Sequence, residues 1–320
     1  MFSLHFRLYL LLSIFGIIIF TIIFGIGSYL QIGNIYFYIG LSLLMMFIQY
    51  LLGPKIVELT MGIKYITREE NRDLYDMVKE LSEKAGIKMP RVGISQINIP
   101  NAFAFGYTKN SGNVCVTFPL LRLLNKDELK AVLGHEITHL KNNDVLFIVM
   151  LSVIPMILYA ISRSLMGFGY YNRRRNSSGN LVLIGLVTLI LYFITNLLVL
   201  YASRIREYFA DQGSIELGNK PESLASALYK LVYGSASLKK EELKSAEGFK
   251  AFFASDPSLA YKEITEFSQL DFDKNGIIDK NELDSFKKQN IKLKFSDRLM
   301  ETLSTHPNML KRIKHLSTLN

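Results

Sequence analysis

From Leu8 to Pro54 the chain carries no Asp, Glu, Lys or Arg. Two apolar runs lie inside that stretch, about Leu8 to Leu30 and Ile35 to Leu52, each near the ~20 residues a helix needs to cross a bilayer. Gln31, Gly33 and Asn34 supply a turn between them, so residues 1–54 are expected to form a transmembrane hairpin. A cleaved signal peptide fits less well, because the first apolar run is too long and no small-residue cleavage site follows it.

Two further charge-free runs, Val145 to Ser162 and Leu181 to Ala202, raise the expected number of membrane segments to as many as four. Arg7 precedes the first segment, and Lys55, Lys64 and Arg68 follow the second. By the positive-inside rule both ends of the hairpin are cytoplasmic, and so is the region from Lys55 to Asp144. If the later pair also spans, its connection, with Arg163, Arg173, Arg174 and Arg175, falls outside and against that rule. Either that pair dips without crossing or packing overrides the rule. The expected location is thus a cytoplasmic membrane, multi-pass, with the soluble part facing the cytoplasm. A hydrophobic fraction of 49% agrees.

The net charge of +9 does not point to nucleic acid, since the basic residues are scattered and no aromatic-rich binding motif accompanies them. Attraction to anionic lipid headgroups accounts for it more simply. The lone Cys115 lies between apolar neighbours, excludes an internal disulfide, and fits a buried thiol rather than a nucleophile.

Between residues 55 and 144 the pattern is that of a small α+β domain. Leu74, Met77, Val78 and Leu81 give Arg68 to Ala85 an amphipathic helical spacing that Gly86 ends. Arg91 to Ser95, Ala102 to Tyr107 and Asn113 to Phe118 read as short strands of a small antiparallel sheet. Asn125 is a candidate N-cap for a helix from Asp127 through Asn142. Residues 145–202 hold the second hydrophobic pair, 203–233 a further helical region, 234–297 a charged soluble segment, and 298–320 a basic C-terminal helix over Met309 to Leu319.

His135-Glu-Ile-Thr-His139 places two imidazoles at i and i+4, on one side of a helix of about 3.6 residues per turn, as paired metal ligands require. Glu136 is then positioned to take a proton from a water whose pKa zinc lowers to about 7. With only five histidines in the chain, chance assembly of this pattern is rare. A second helix, Arg204 to Asp211, offers Glu207 as third ligand, leaving a position open for water. Asp211, one turn on, suits a hydrogen bond to the far nitrogen of His135. Taken alone, Glu207 and Asp211 read as a solvated face paired with Arg204 and Arg206; beside the two-histidine helix the metal reading prevails. Few residues separate His139 from the apolar run at Val145, so this chemistry is expected within about one or two helical turns of the bilayer.

Glu128 to Asp144, Arg206-Glu-Tyr-Phe-Ala-Asp211, Ser304 to Ile313 and Pro100 to Gly106 together resemble an HtpX-type membrane metalloprotease, a gluzincin related to the CAAX prenyl proteases. The resemblance covers most of the chain except about Gly234 to Asp297. It implies a zincin-type, mainly helical α+β domain anchored in the membrane, with zinc on His135, His139 and Glu207 and Glu136 as general base. It also implies that Asn101, Ala102, Phe103 and Ala104 lie on an edge strand to which an extended substrate adds, and that His306 and Arg312 approach the cleft and stabilise an oxyanion; for His306 a helix cap or a buried packing residue is the equal alternative. Asp144 is expected to be structural. Membrane or misfolded proteins are the implied substrates.

Asp271-Phe-Asp-Lys-Asn-Gly-Ile-Ile-Asp-Lys-Asn-Glu282 matches the twelve-residue EF-hand template. Asp271, Asp273, Asn275, Ile277 (through its carbonyl), Asp279 and Glu282 are the expected Ca2+ ligands, and Gly276 permits the sharp turn. No second copy is present in the sequence, and such a loop departs from the HtpX pattern. The expected protein is a zinc endopeptidase that calcium modulates. A catalytically inactive calcium-sensing or metal-binding membrane protein is the alternative.

Overall fold

The computed structural model describes residues 47, 51–52, 54–144, 178–236, 270–273, 275–287 and 300–319, with scattered positions between 147 and 165. The first expected hairpin therefore lies almost wholly outside the described residues, as does the first half of the 234–297 segment. Two compact units are distinguished: Met1–Leu52 with Leu146–Ile205, and Gly53–Val145 with Arg206–Asn320.

In the first unit, every described position between 147 and 165 is helical. Leu151, Val199 and Ala202 form a small apolar cluster, and Ser162 Oγ donates to Gly185 O at 2.8 Å. Leu183, Leu186, Ile190 and Phe193 are exposed along one helix. The hydroxyls of Thr188 and Thr195 donate to the carbonyls of Ile184 and Leu191, so the apolar stretch hides its polar groups internally. Among the described residues this is the one helix long and apolar enough to cross a membrane.

In the second unit, β1 (Ile63–Tyr65), β2 (Arg91–Ser95), β3 (Ala102–Gly106) and β4 (Gly112–Thr117) form a sheet in the order β1-β2-β4-β3. β2 and β4 are parallel, from Arg91↔Asn113 to Ser95↔Thr117, while β1–β2 and β3–β4 are antiparallel. The sheet is mixed, which corrects the antiparallel expectation. The connection after β2 carries the chain past one strand position before β3 begins, and β4 then returns to fill it. β4 is accordingly central, with all six residues buried. β1 is too short for its pattern to register in the sequence.

α1 (Arg72–Ala85) begins later than expected because Asn71 takes the N-cap and accepts from Leu74 N at 3.2 Å. Arg68 instead pairs with Asp76 at 2.8 Å. Gly86, at φ +67°, ends the helix in the left-handed conformation that glycine adopts without penalty. After α2 (Phe118–Leu123) comes α3 (Lys126–Lys141), which carries the two-histidine motif. A reciprocal capping box starts it: Glu128 N donates to Asn125 Oδ1 and Asn125 N to Glu128 Oε2, both at 2.9 Å. α3 is not amphipathic. Nearly every residue from Glu128 to Thr138 is buried, because α1, β3 and a later helix, α5 (Pro221–Ala236), pack on its different sides.

The core joins Leu74, Val78 and Leu81 of α1, Leu129, Val132 and Ile137 of α3 and Leu224 and Leu228 of α5. It extends to α6 (Lys280–Lys287) through Leu283 and Phe286, and to α7 (Met309–Leu316) through Leu310 and Ile313. Leu270 and Ile278 belong to it as well. The described part of the charged segment thus contributes core residues.

Asn125→Ala removes one half of the capping box and leaves Glu128 N short of its acceptor. It is expected to cost about 1 kcal/mol, read as a lower thermal midpoint with zinc content unchanged.

Candidate metal centre

The helix that supplies the third acidic candidate is not separate from the apolar run before it. α4 (Ser178–Glu216) is continuous, so Glu207 and Asp211 sit on the same helix as Leu181 to Ala202. α4 meets α3 at very short range through glycines. A Cβ on Gly213 would lie 2.3 Å from Thr138 Cγ2, and one on Gly134 would lie 2.8 Å from Ser214 Oγ. Ser214 Oγ donates to Ala131 O at 2.6 Å, joining the helices at the same level.

That approach brings three groups together. His135 Nε2 and His139 Nε2 are 3.1 Å apart, Glu207 Oε2 is 3.5 Å from His135 Nε2, and Glu207 Oε1 is 3.4 Å from His139 Nε2. The opposite ring nitrogens have carboxylate partners: His135 Nδ1 lies 2.9 Å from Asp211 Oδ1, and His139 Nδ1 lies 2.6 Å from Asp144 Oδ2. A carboxylate accepts only, so each Nδ1 carries the proton and each Nε2 presents a lone pair. Two lone pairs and a carboxylate facing one another repel unless a cation lies between them. Zinc bonds of about 2.0–2.1 Å in tetrahedral geometry would set ligand atoms about 3.3 Å apart, close to the separations found. His135, His139 and Glu207 therefore form a group able to hold a metal ion.

The electrostatics agree. Burial alone would lower both imidazole pKa values, but Asp211 and Glu207 raise His135 and Glu207 and Glu136 raise His139. A site that favours positive charge on imidazole favours a dication more. Glu136 is buried, and that burial pushes its carboxyl above the ordinary carboxylate range. Cys115 is fully buried and its thiol is pushed up by burial, in keeping with an inert side chain.

Asp211 is held by Arg312, whose Nη2 and Nε donate to its two oxygens at 2.6 and 2.9 Å; Arg312 Nη1 also lies 3.1 Å from Glu207 Oε2. The guanidinium is fully buried. Expected beside the substrate, Arg312 is instead committed to two carboxylates behind the imidazoles. His306 is buried with Nδ1 3.3 Å from Glu207 Oε2, and neither ring nitrogen has a hydrogen-bond partner among the described residues. Ala102, Phe103 and Ala104 lie on β3, the outermost strand of the sheet on the side where α3 packs. Asn101, just before it, donates its N–H to Thr117 Oγ1 at 2.9 Å. The residue missed in the sequence is Asp144, whose contact with His139 depends on how the chain turns after α3.

In the acidic loop, oxygens of Asp271, Asp273 and Glu282 lie within 4.8 Å of one another. Gly276 has φ +80°, and Asp271 accepts from Asn275 N at 3.0 Å and Gly276 N at 2.9 Å. Asp279 Oδ1 accepts from Glu282 N at 2.9 Å, so that oxygen starts α6. Asn275 Oδ1 accepts from Ile277 N at 2.8 Å. Asp271 Oδ2 also accepts from Tyr229 of α5 at 3.0 Å, which fastens the loop to the core.

The sequence pattern of Peptidase family M48 matches residues 68–320. A protein described as a Protease HtpX homolog, from Methanothermobacter thermautotrophicus, is 49% identical over 219 residues, covering 68% of this chain and 81% of its own. Another of the same description, from Bifidobacterium longum, is 38% identical over 254 residues, covering 78% and 82%. The crystal structure of S. mikatae Ste24p aligns at a TM-score of 0.51 and 17% identity, over 99% of this chain and 67% of that one, a likeness of fold.

Gly213→Ala forces Thr138 aside and spreads the ligand helices. The expected result is a loss of about 1–3 kcal/mol of stability with weaker metal retention on dialysis; unchanged zinc content at a lowered thermal midpoint would show that helix spacing does not set the site.

Proposed function

The chain belongs to Peptidase family M48, and we propose that it is a zinc-dependent endopeptidase of the membrane. The observation that carries this reading is the convergence of His135 Nε2, His139 Nε2 and the Glu207 carboxylate within 4.8 Å, with Glu136 buried on the same helix. His135, His139 and Glu207 would hold zinc, which supplies Lewis-acid polarisation of a scissile carbonyl and acidifies water. Glu136 accepts the proton of the attacking water and returns it to the leaving amine, a role suited to a carboxyl whose pKa burial has raised. Asp211, held by Arg312, keeps the proton on His135 Nδ1.

On this reading the outer edge of β3, at Ala102 to Ala104 and the preceding Asn101, receives an extended substrate by backbone hydrogen bonds. His306, whose Nε2 has no hydrogen-bond partner among the described residues while its Nδ1 lies near Glu207, serves as oxyanion donor. The substrates are proteins or peptides, membrane or misfolded chains in particular, in a quality-control role on the cytoplasmic face of a lipid bilayer. The long apolar face of α4 supports membrane residence. Calcium at Asp271, Asp273, Asn275, Ile277, Asp279 and Glu282 would modulate activity, a reading supported by the template match and the grouping of three carboxylates.

Glu136→Gln leaves the three ligands intact. Detergent-solubilised variant is expected to keep its zinc and lose casein cleavage by ~10²–10⁴-fold; retained cleavage, or loss of zinc with activity, would overturn the general-base assignment. For the calcium part, cleavage rates of the wild type should change across a Ca2+ titration, and Glu282→Gln should blunt that response. Rates flat in Ca2+ would remove it.

A further inference from the structure

Two imidazole–carboxylate–arginine relays converge on the centre, one through Asp211 and Arg312 and the other through Asp144 and Arg206. We propose that Asp144 and Arg206 form a second relay, a latch that orients His139 and ties it to the helix segment carrying Glu207, so that both are positioning residues for the peptidase. The inference rests on the zinc reading of His135, His139 and Glu207.

The backbone is the first ground. Asp144 is five positions after His139, so on a continuing helix it would point about 140° away from the imidazole around the axis. The helix does not continue. α3 ends at Lys141, and Asn143 takes φ +54°, a left-handed conformation uncommon outside glycine and tolerated best by Asn and Asp. Asn143 Oδ1 accepts from Lys109 N at 2.9 Å, an anchor that helps hold the turn. The reversal brings Asp144 Oδ2 to 2.6 Å from His139 Nδ1. An unfavourable backbone state kept for one contact to a ligand imidazole is the pattern of a functional constraint.

The second ground is the partner. The other Asp144 oxygen, Oδ1, is ion-paired with Arg206, and both side chains are buried. Arg206 Nη2 also donates to Asn142 O at 3.5 Å, placing its cation at the carbonyl end of α3, where the helix dipole favours it. Arg206 is the chain neighbour of Glu207, whose Oε1 lies 3.4 Å from His139 Nε2. A closed circuit results, from His139 through Asp144 and Arg206 to Glu207 and back. It sets the direction of His139 Nε2 and the height of Glu207 together. Arg206 turns inward onto the other ligand helix, where it meets Asp144 and Asn142 O.

The test uses full-length protein in detergent, loaded with Zn2+ or Co2+. Asp144→Ala is expected to weaken Zn2+ binding by about 10–100-fold in chelator competition and to alter the visible absorption bands of the Co2+ form. Arg206→Ala should shift both readouts in the same direction. The double variant should bind little worse than Asp144→Ala alone, because the two act as one unit. Where an alanine variant fails to fold, the near-isosteric Asp144→Asn and the shorter, uncharged Arg206→Gln carry the same measurements, with a smaller loss expected for Asp144→Asn. Variants that keep wild-type Zn2+ affinity and Co2+ spectrum while losing thermal stability would overturn the latch. A wild type that binds no zinc would instead overturn the reading on which it rests.

Discussion

Like charge and like lone pairs do not gather in a protein interior without something to separate them, and the centre of this chain is built on that constraint. Two imidazole nitrogens and a carboxylate face one another at 3.1–3.5 Å, each held there by a group on its far side. Removing such groups from water and crowding them is costly. A cation among them would offset that cost: Arg312 reaches one oxygen of Glu207, and the three groups together are able to hold a metal ion. A buried arginine on each outer carboxylate extends the alternation of sign outward from the imidazoles.

Holding that arrangement requires a rigid frame, and the core provides one. α3 is enclosed on nearly all sides, which leaves its histidines little freedom to turn away. Gly134 and Gly213 set the spacing to α4, and Ser214 fixes its register by bonding to Ala131 O. α7 closes the back of the centre through Arg312, while its Leu310, Ile313 and Leu316 share the apolar core with α1, α3 and α5. Ligand geometry and core packing are thus properties of the same residues.

How much of this was legible in the sequence depended on how local each relation is. The pairing of His135 with His139 follows from one turn of helix, and the capping box of Asn125 and Glu128 spans only three positions, so both could be read directly. The Asp211–His135 contact follows once the two helices are taken to face each other. Asp144 was not legible as a partner of His139, because the contact depends on a left-handed residue that helical spacing does not foresee. Strand order escaped for a similar reason: β2 and β4, which β3 separates in the sequence, pair directly in parallel, and turn residues say nothing about which neighbour fills a vacant position. The family resemblance implies Arg312 only as a residue near the cleft; its full burial between Asp211 and Glu207 depends on how α7 packs, and two carboxylates make that burial tolerable. The continuity of α4 was obscured by its change from apolar to charged after Ala202, a change of surroundings within one helix.

The acidic stretch looks in sequence like an insertion that could be cut out. Leu270, Ile278, Leu283 and Phe286 nonetheless lie among the core residues, and Tyr229 bonds directly to Asp271. Excision would leave a hole against α5 and α7 where four apolar side chains had been. A shortened catalytic fragment of this chain would need replacement packing at that place, and grafting the loop onto a related scaffold would need a matching socket.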